Sequence, residues 1–143
     1  MTGPDRRDCK IIMTAVYDEV FRRFPEIEPH VIEGDEELPY VCFNYIAWWI
    51  ESLPRAEITD GLIARIVSFG DWCHAQPEGK DASDDLPTIL MVGLHENLGA
   101  SDSGRKVLSG IWPEDYVRDS EDYLRQWLGA EDYEKLLAEY PGV

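Results

Sequence analysis

The sequence has few cysteines and no long apolar run. Cys9, Cys42 and Cys73 are an odd number of cysteines, whereas a secreted disulfide framework has an even and denser set. The longest apolar-rich stretch, residues 41–50, is far shorter than the roughly 20 residues of a membrane-spanning helix. Residues 1–8 are polar and charged, unlike a secretory leader. We therefore expect a cytoplasmic protein with free thiols and no membrane span.

Basic side chains are also scarce. The 143 residues include 13 Lys or Arg against 29 Asp or Glu, which gives a net charge of −16. Binding to nucleic acid or to an anionic membrane needs clustered basic groups, so neither partner is expected. Leu, Ile, Val and Phe still make up a quarter of the chain, above the share of about 20% below which highly charged chains stay disordered. This length and composition predict one folded domain, residues 1–143.

The negative charge is concentrated in the middle of the chain. Residues 30–85 carry a net charge of −9, whereas residues 1–29 carry −1 and residues 86–143 carry −6. The acids of the middle segment lie mainly in two stretches that the pattern predicts to be loops, residues 33–37 and 78–85. Such an excess either steers a basic partner toward the protein or serves only solvation, as in an acidic or halophilic proteome.

Apolar residues recur at helical spacing along most of the sequence. Ile12, Val16, Val20 and Phe24 follow one another at intervals of four, which is typical of an amphipathic helix. Seven helical segments are predicted, at about residues 8–24, 39–53, 60–76, 86–98, 103–112, 119–128 and 130–140. Strand signals are scarce, because the candidate runs lack clean alternation and have no hairpin turn between them. The predicted fold is all-α, a single compact bundle of six to seven antiparallel helices with little or no β structure.

Four residues of these helices lead to specific expectations. Gly93 lies in mid-helix, where glycine costs about 1 kcal/mol relative to alanine, so we expect a neighbouring helix to approach closely there. Gly99 follows the last apolar residue of its helix and predicts a left-handed C-cap.

Trp48 and Trp49 point about 100° apart, and the favoured expectation is that both are buried between two neighbouring helices. Alternatively, one reaches the surface, where tryptophan is enriched in binding hot spots.

Residues suited to catalysis or metal binding are few and poorly spaced. The histidines are His30, His74 and His95, and no Cys-x-x-Cys or His-x-x-x-His pair occurs. Cys73 and His74 are adjacent, so they point apart on a helix and do not easily share one ion. His95 and Glu96 are also adjacent, and no nucleophile or phosphate-binding glycine loop accompanies them. We expect no cofactor, no metal and no enzymatic activity.

Acidic side chains and two tryptophans form the candidate binding surface for a basic protein partner. Carboxylates in the two acidic stretches would meet Lys and Arg of the partner and speed association. Trp48 or Trp112 would supply an aromatic anchor that slows dissociation. The predicted partner-binding residues are Glu33, Asp35, Glu36, Glu37, Trp48, Asp81, Asp84, Asp85 and Trp112.

Two short segments resemble a known group of proteins. The string Leu38-Pro39-Tyr40-Val41 opens one predicted helix, and the string Met91-Val92-Gly93-Leu94-His95-Glu96-Asn97-Leu98 lies in another. Around them, residues 24–112 resemble a family of small uncharacterised bacterial helical proteins that are similar to the immunity proteins of polymorphic toxin systems. The resemblance implies a toxin inhibitor, as in toxin–antitoxin pairs. It supplies no binding residues, because immunity surfaces vary with their toxins.

Three functions are compatible with these features. The first is an acidic immunity or inhibitor protein that binds a cognate bacterial toxin domain and blocks its active site. The second is a helical adaptor or regulatory module for another basic protein. The third is a small enzyme that uses His95 and Glu96, which the absence of a nucleophile disfavours.

Overall fold

The computed structural model describes residues 16–32, 34, 39–80 and 85–141 of the chain. Within these ranges every regular element is helical and no strand occurs, so the predicted all-α class is confirmed. The elements are α1 (residues 16–23), α2 (Pro39–Ser52), α3 (Asp60–His74), α4 (residues 86–98), α5 (Asp102–Ile111), α6 (Glu114–Asp119), α7 (Glu121–Leu128) and α8 (Ala130–Leu137), with 3-10 turns at Pro25–His30 and Arg55–Glu57. Residues 8–15 of the first predicted helix lie outside the described residues. None of the helices in the described ranges is long and apolar enough to cross a membrane.

Side-chain caps set where two helices begin. Thr59 caps α3, and its hydroxyl oxygen accepts a hydrogen bond from the backbone nitrogen of Leu62 at 3.1 Å. Asp85 caps α4 in the same way, because its carboxylate accepts from the backbone nitrogen of Thr88 at 3.2 Å. These bonds satisfy backbone N–H groups that the first helical turn leaves without partners.

Helix α6 is an element that the apolar spacing did not predict. Pro113 precedes it, and Glu114 and Asp115 in its first turn interact favourably with the positive end of the helix dipole. Of its 6 residues only Val117 is buried. The segment is therefore too short to show a periodic apolar line in the sequence.

Helix α4 contains a π-helical segment, Leu90–His95, between two α-helical parts. Gly93 lies in this segment, where α4 packs against α2. A Cβ atom at Gly93 would be 3.1 Å from the Cβ atom of Phe43 and 3.3 Å from the carbonyl oxygen of Tyr40. The expected close approach of a neighbouring helix is confirmed, and that helix is α2.

The prediction of a left-handed C-cap at Gly99 is wrong. Its φ is −64°, in the right-handed region that any residue adopts. The chain instead turns directly into α5, whose first turn is capped by the hydroxyl of Ser101. A side chain at Gly99 would overlap Leu128 of α7. Glycine at this position therefore allows α7 to pack closely and is not needed for the backbone conformation.

Helix α2 lies at the centre of the core. It packs against α4, α5 and the Pro25–His30 turn. Its fully buried side chains include Phe43, Ile46 and Ile50, and Phe43 meets Phe69 of α3 with ring centroids 5.1 Å apart. The face of α2 that points inward is thus occupied by contacts with the core. The candidate functional site lies on the face that points the other way.

Candidate partner-binding surface

The side of α2 that faces away from the core carries large side chains. Tyr40, Asn44 and Trp48 follow one another at intervals of four residues, with Val41 and Tyr45 beside them. On a helix this spacing places the side chains along one stripe. Asn44 and Trp48 are exposed, and the other three are half-buried. Two adjoining pockets open along this stripe.

The first pocket, which we call the Trp48 shelf, is mainly apolar and has a volume of about 350 Å³. It is lined by His30, Ile32, Val41, Asn44, Tyr45 and Trp48. Trp48 packs edge-on against His30 with ring centroids 5.1 Å apart, yet it is 47% exposed. Ile32 is 68% exposed, and its backbone nitrogen donates a hydrogen bond to the Tyr45 hydroxyl at 3.2 Å. The shelf therefore presents two large apolar side chains to solvent.

The two adjacent tryptophans of α2 have different environments. Trp49 is half-buried, because it packs against Phe24 with ring centroids 6.2 Å apart and lies beneath the Arg65 guanidinium. The expectation that Trp48 is also a core residue is wrong. Trp48 points away from the elements that cover Trp49, so about half of its surface stays open to water.

The second pocket, which we call the Glu96 pocket, has a volume of about 360 Å³ and lies where α2, α4 and α7 meet. It is lined by Tyr40, Asn44, Val92, Gly93, Glu96, Asn97 and Trp127. The Nδ2 atom of Asn97 donates to the Gly93 carbonyl oxygen at 2.9 Å and lies 2.9 Å from the side-chain amide of Asn44. Because Asn44 lines both pockets, they form one continuous surface, which we call the α2 surface.

Two exposed aromatic side chains of α7 lie at the Glu96 pocket. Trp127 is 51% exposed and Tyr123 is 41% exposed, and their ring centroids are 6.1 Å apart. The Tyr123 hydroxyl donates a hydrogen bond to Oε1 of Glu96 at 2.9 Å. This bond joins α7 to α4 and orients the carboxylate of Glu96.

The electrostatics of the Glu96 pocket favour a cation. Burial raises the pKa of Glu96, although the hydrogen bond from Tyr123 acts in the opposite direction. Burial, together with the hydrogen bond to Glu96, raises the pKa of Tyr123 to about 12. Within the described residues, no Lys, Arg or His forms an ion pair with Glu96. A positive charge that entered the pocket would stabilise the ionised carboxylate.

The structure describes only one of the predicted acidic partner-binding residues. Glu33, Asp35, Glu36, Glu37, Asp81 and Asp84 lie outside the described residues. Asp85 is half-buried and accepts hydrogen bonds from the Thr88 hydroxyl at 2.6 Å and from the Gly79 backbone nitrogen at 3.1 Å. These bonds, with that from the Thr88 hydroxyl foremost, lower the pKa of Asp85. One of its oxygens thus caps α4, and the other accepts from Gly79.

The prediction that Trp112 is an exposed anchor is wrong. Trp112 is only 6% exposed. Its ring packs edge-on against His95 with centroids 5.7 Å apart and against Tyr116 with centroids 5.3 Å apart. The reason is α6, which the sequence pattern does not reveal and which places Tyr116 against Trp112.

His95 and Glu96, the pair that a small enzyme would use, contact different neighbours. His95 is buried against Trp112, whereas Glu96 contacts Tyr123. Burial lowers the pKa of His95 to about 4, so its ring is neutral at pH 7.

Burial also raises the pKa of Cys73 to about 12, which disfavours the thiolate that nucleophilic catalysis requires. In the described part of the chain, no group of three or more His, Cys, Asp or Glu could hold a metal ion.

Tyr123 and Trp127 are surface residues that the sequence pattern did not reveal. Their spacing groups them with Leu124 and Leu128 on one helix face. In α7, however, only Leu124 is fully buried. One feature of the sequence could have indicated their exposure: four bulky side chains crowd one face of a helix of 8 residues. A single narrow line of contact with the core does not bury all four.

The described residues thus form an all-α protein with an exposed aromatic surface beside a carboxylate that has no ion pair among them. No model of a known protein family matches the chain, and neither a curated protein nor a solved structure matches it.

Proposed function

We propose that this protein is an acidic inhibitor of the immunity type, which binds a cognate bacterial toxin domain through the α2 surface and blocks its active site. The partner is a basic protein, and neither nucleic acid nor a membrane takes part. The scaffold we propose is a single-domain, compact bundle of antiparallel helices in the cytoplasm. The observation that carries this proposal is the Trp48 shelf, an exposed apolar surface within the most acidic part of the sequence.

The shelf has the composition of an interface centre. Trp48 and Ile32 keep 47% and 68% of their surfaces exposed, although burial of apolar surface is favourable by roughly 25 cal/mol per Å². Tryptophan is enriched among the residues that dominate binding energy. A partner side chain that fills the shelf would remove water from Trp48 and slow dissociation of the complex.

Charge supplies the long-range part of recognition. Ile32 of the shelf is followed in sequence by the acidic stretch at residues 33–37, and residues 30–85 together carry −9. Steering by such charge raises association rate constants to about 10⁸–10⁹ M⁻¹s⁻¹ at low salt, and the effect falls with ionic strength. A toxin domain with Lys and Arg around its active-site cleft has the matching charge.

Co-expression with the protein encoded by the neighbouring gene tests the proposal. We expect a stoichiometric complex, loss of the partner's toxicity, and an association rate that falls as the salt concentration is raised from about 0.05 M to about 0.5 M. Failure to form a complex contradicts the proposal, and so does an association rate that is indifferent to salt. A stable complex with a non-toxic basic partner would identify a helical adaptor instead.

Replacement of the shelf tryptophan tests the interface itself. We expect Trp48→Ala to raise the dissociation rate constant about 30-fold, because hot-spot residues contribute about 2 kcal/mol or more. Val67→Ala is the control, since Val67 is 37% exposed on α3 and lines neither pocket. Surface plasmon resonance with the captured toxin measures both rate constants. Equal dissociation of the two variants would mean that the interface lies elsewhere.

A further inference from the structure

Glu96 is a half-buried carboxylate that lines a pocket, and among the described residues it forms no ion pair. Arg65 pairs with Glu26 at 2.9 Å, and Arg118 pairs with Glu114 at the same distance. Among the described residues Glu96 has no such partner, and the group that donates to it is the Tyr123 hydroxyl. The described lining of the pocket beside it includes no Lys or Arg. The pocket therefore combines a carboxylate, open volume and an exposed indole without a positive charge.

The chain itself shows how a guanidinium is held in such surroundings. Arg65 donates two parallel hydrogen bonds to the Glu26 carboxylate, at 2.9 Å and 3.0 Å. Its Cζ atom also lies 5.4 Å from the ring centroid of Phe24 and 5.4 Å from that of Trp49. One carboxylate and adjacent aromatic rings thus bind one guanidinium by charge-assisted hydrogen bonds and by cation–π attraction.

We propose that the Glu96 pocket binds an arginine side chain of the partner protein. The guanidinium pairs with the Glu96 carboxylate and lies against the Trp127 ring, which repeats the Arg65 arrangement with a cation supplied from outside. That the arginine belongs to a toxin domain rests on the proposed function. That the pocket binds a guanidinium rests only on the residues that line it.

The pocket's chemistry selects arginine over other side chains. Its carboxylate repels acidic groups, and a neutral side chain leaves the charge of Glu96 without a partner. A planar guanidinium stacks on an indole ring and presents its N–H donors in a rigid fork that matches a carboxylate, whereas the ammonium of lysine is a compact point charge without such a plane. Tyr123 donates to Oε1 of Glu96, so Oε2 remains to accept from the guanidinium. The amides of Asn44 and Asn97 line the same pocket and supply further hydrogen-bonding atoms.

A small probe tests this chemistry on the free protein. N-acetyl-arginine amide carries the guanidinium, and N-acetyl-citrulline amide has nearly the same shape without the charge. Two-dimensional NMR follows the indole N–H resonances, and we expect the arginine probe to shift that of Trp127 in a saturable way. Its affinity should exceed that of the citrulline probe at least about fivefold, because charge-assisted hydrogen bonds are roughly twice as strong as neutral ones. Equal affinities, or a shift confined to Trp48, overturn the proposal.

Two variants and a matched control locate the probe. Glu96→Gln keeps the shape of the side chain and is expected to weaken arginine binding about tenfold, and Trp127→Ala is expected to weaken it about threefold. Glu57→Gln is the control, because Glu57 shares a pocket with Trp49 that already contains Arg65. Its affinity for the probe should equal that of the wild type. If Glu96→Gln and Trp127→Ala both bind as the control does, the Glu96 pocket is not the arginine site.

The toxin complex separates failure of this inference from failure of the proposed function. If the complex forms and Glu96→Gln binds the toxin like the wild type, the partner's arginine does not enter the pocket, and the proposed function stands. If the arginine probe binds at Trp127 but no toxin complex forms, the pocket chemistry is supported and the proposed function fails. Self-association of the free protein that Glu96→Gln abolishes would assign the arginine to a second copy and overturn the proposal.

Discussion

At the scale of single residues, tertiary neighbours decide which chemistry a side chain retains. His95 and Glu96 are adjacent, yet one packs against Trp112 in the core and the other lines a pocket. The Nδ1 atom of His95 is buried and has no hydrogen-bond partner in the described structure. An imidazole in this position is held neutral, because no buried acceptor stabilises a second proton.

The stability of the protein should fall in mild acid because of His95. Its pKa is about 4 in the folded protein and about 6.5 when the chain is unfolded, so between these values only the unfolded state binds the proton. The free energy of unfolding therefore decreases as the pH falls through 6.5 and levels off below about 4. The total contribution is roughly 3 kcal/mol. Urea denaturation at a series of pH values measures it.

Two variants isolate this effect from the titration of the carboxylates. His95→Met removes the imidazole, so its stability curve should diverge from that of the wild type between about pH 4 and pH 6.5. Leu94→Met is the control, because it places methionine at another buried position of α4 and removes no titratable group, so its curve should run parallel to that of the wild type. Parallel stability curves for the wild type and His95→Met would show that His95 does not cause the loss of stability in mild acid.

At the scale of elements, local signals determined most helix boundaries. The Thr59 and Asp85 caps are short-range features, because each side chain bonds to a backbone nitrogen three residues further on. Helix α6 was not predicted, because Val117 is its one buried residue and a single apolar position shows no helical spacing. Gly99 was misassigned for a different reason, since its role depends on Leu128, a residue of another helix.

The contact between α2 and α4 leads to a prediction about Gly93. Gly93→Ala should lower the free energy of unfolding by about 1–3 kcal/mol, even though alanine favours helix by about 1 kcal/mol. The added methyl group would crowd Phe43 and the backbone oxygen of Tyr40, and a buried helix backbone has little room to move. Thermal and urea denaturation measure the change.

Gly70→Ala is the control for this contact. A Cβ atom there would be 3.5 Å from Cδ2 of Leu90, an ordinary van der Waals distance. The substitution should therefore stabilise α3 by about 0.5–1 kcal/mol. If Gly93→Ala were as stable as Gly70→Ala, close packing would not explain the glycine in α4.

At the scale of the whole molecule, the net charge of −16 opposes folding through self-repulsion. We expect the free energy of unfolding to rise by about 1 kcal/mol when the salt concentration is raised from about 0.02 M to about 0.2 M, because salt screens this repulsion. Exposed ion pairs such as Arg118–Glu114 weaken at the same time, but such pairs contribute only about 0–1 kcal/mol each. Urea denaturation at several salt concentrations measures the balance.

A double variant, Glu28→Gln with Glu51→Gln, checks that repulsion is the cause. Both glutamates are exposed, and among the described residues neither forms an ion pair. Removal of two negative charges should make the salt dependence shallower. A stability that decreases with salt in both proteins would instead mean that attractive pairs dominate.

The sequence by itself determined the helical class and much of the core, because helical periodicity and caps depend on residues three or four apart. Only the tertiary structure decided which aromatic side chains are exposed. Trp112 is covered by Tyr116 of α6, whereas Trp48 and Trp127 remain open. The Glu96 pocket likewise joins α2, α4 and α7, and the bond between Glu96 and Tyr123 spans 27 residues. Such contacts depend on how helices pack, which local spacing does not encode.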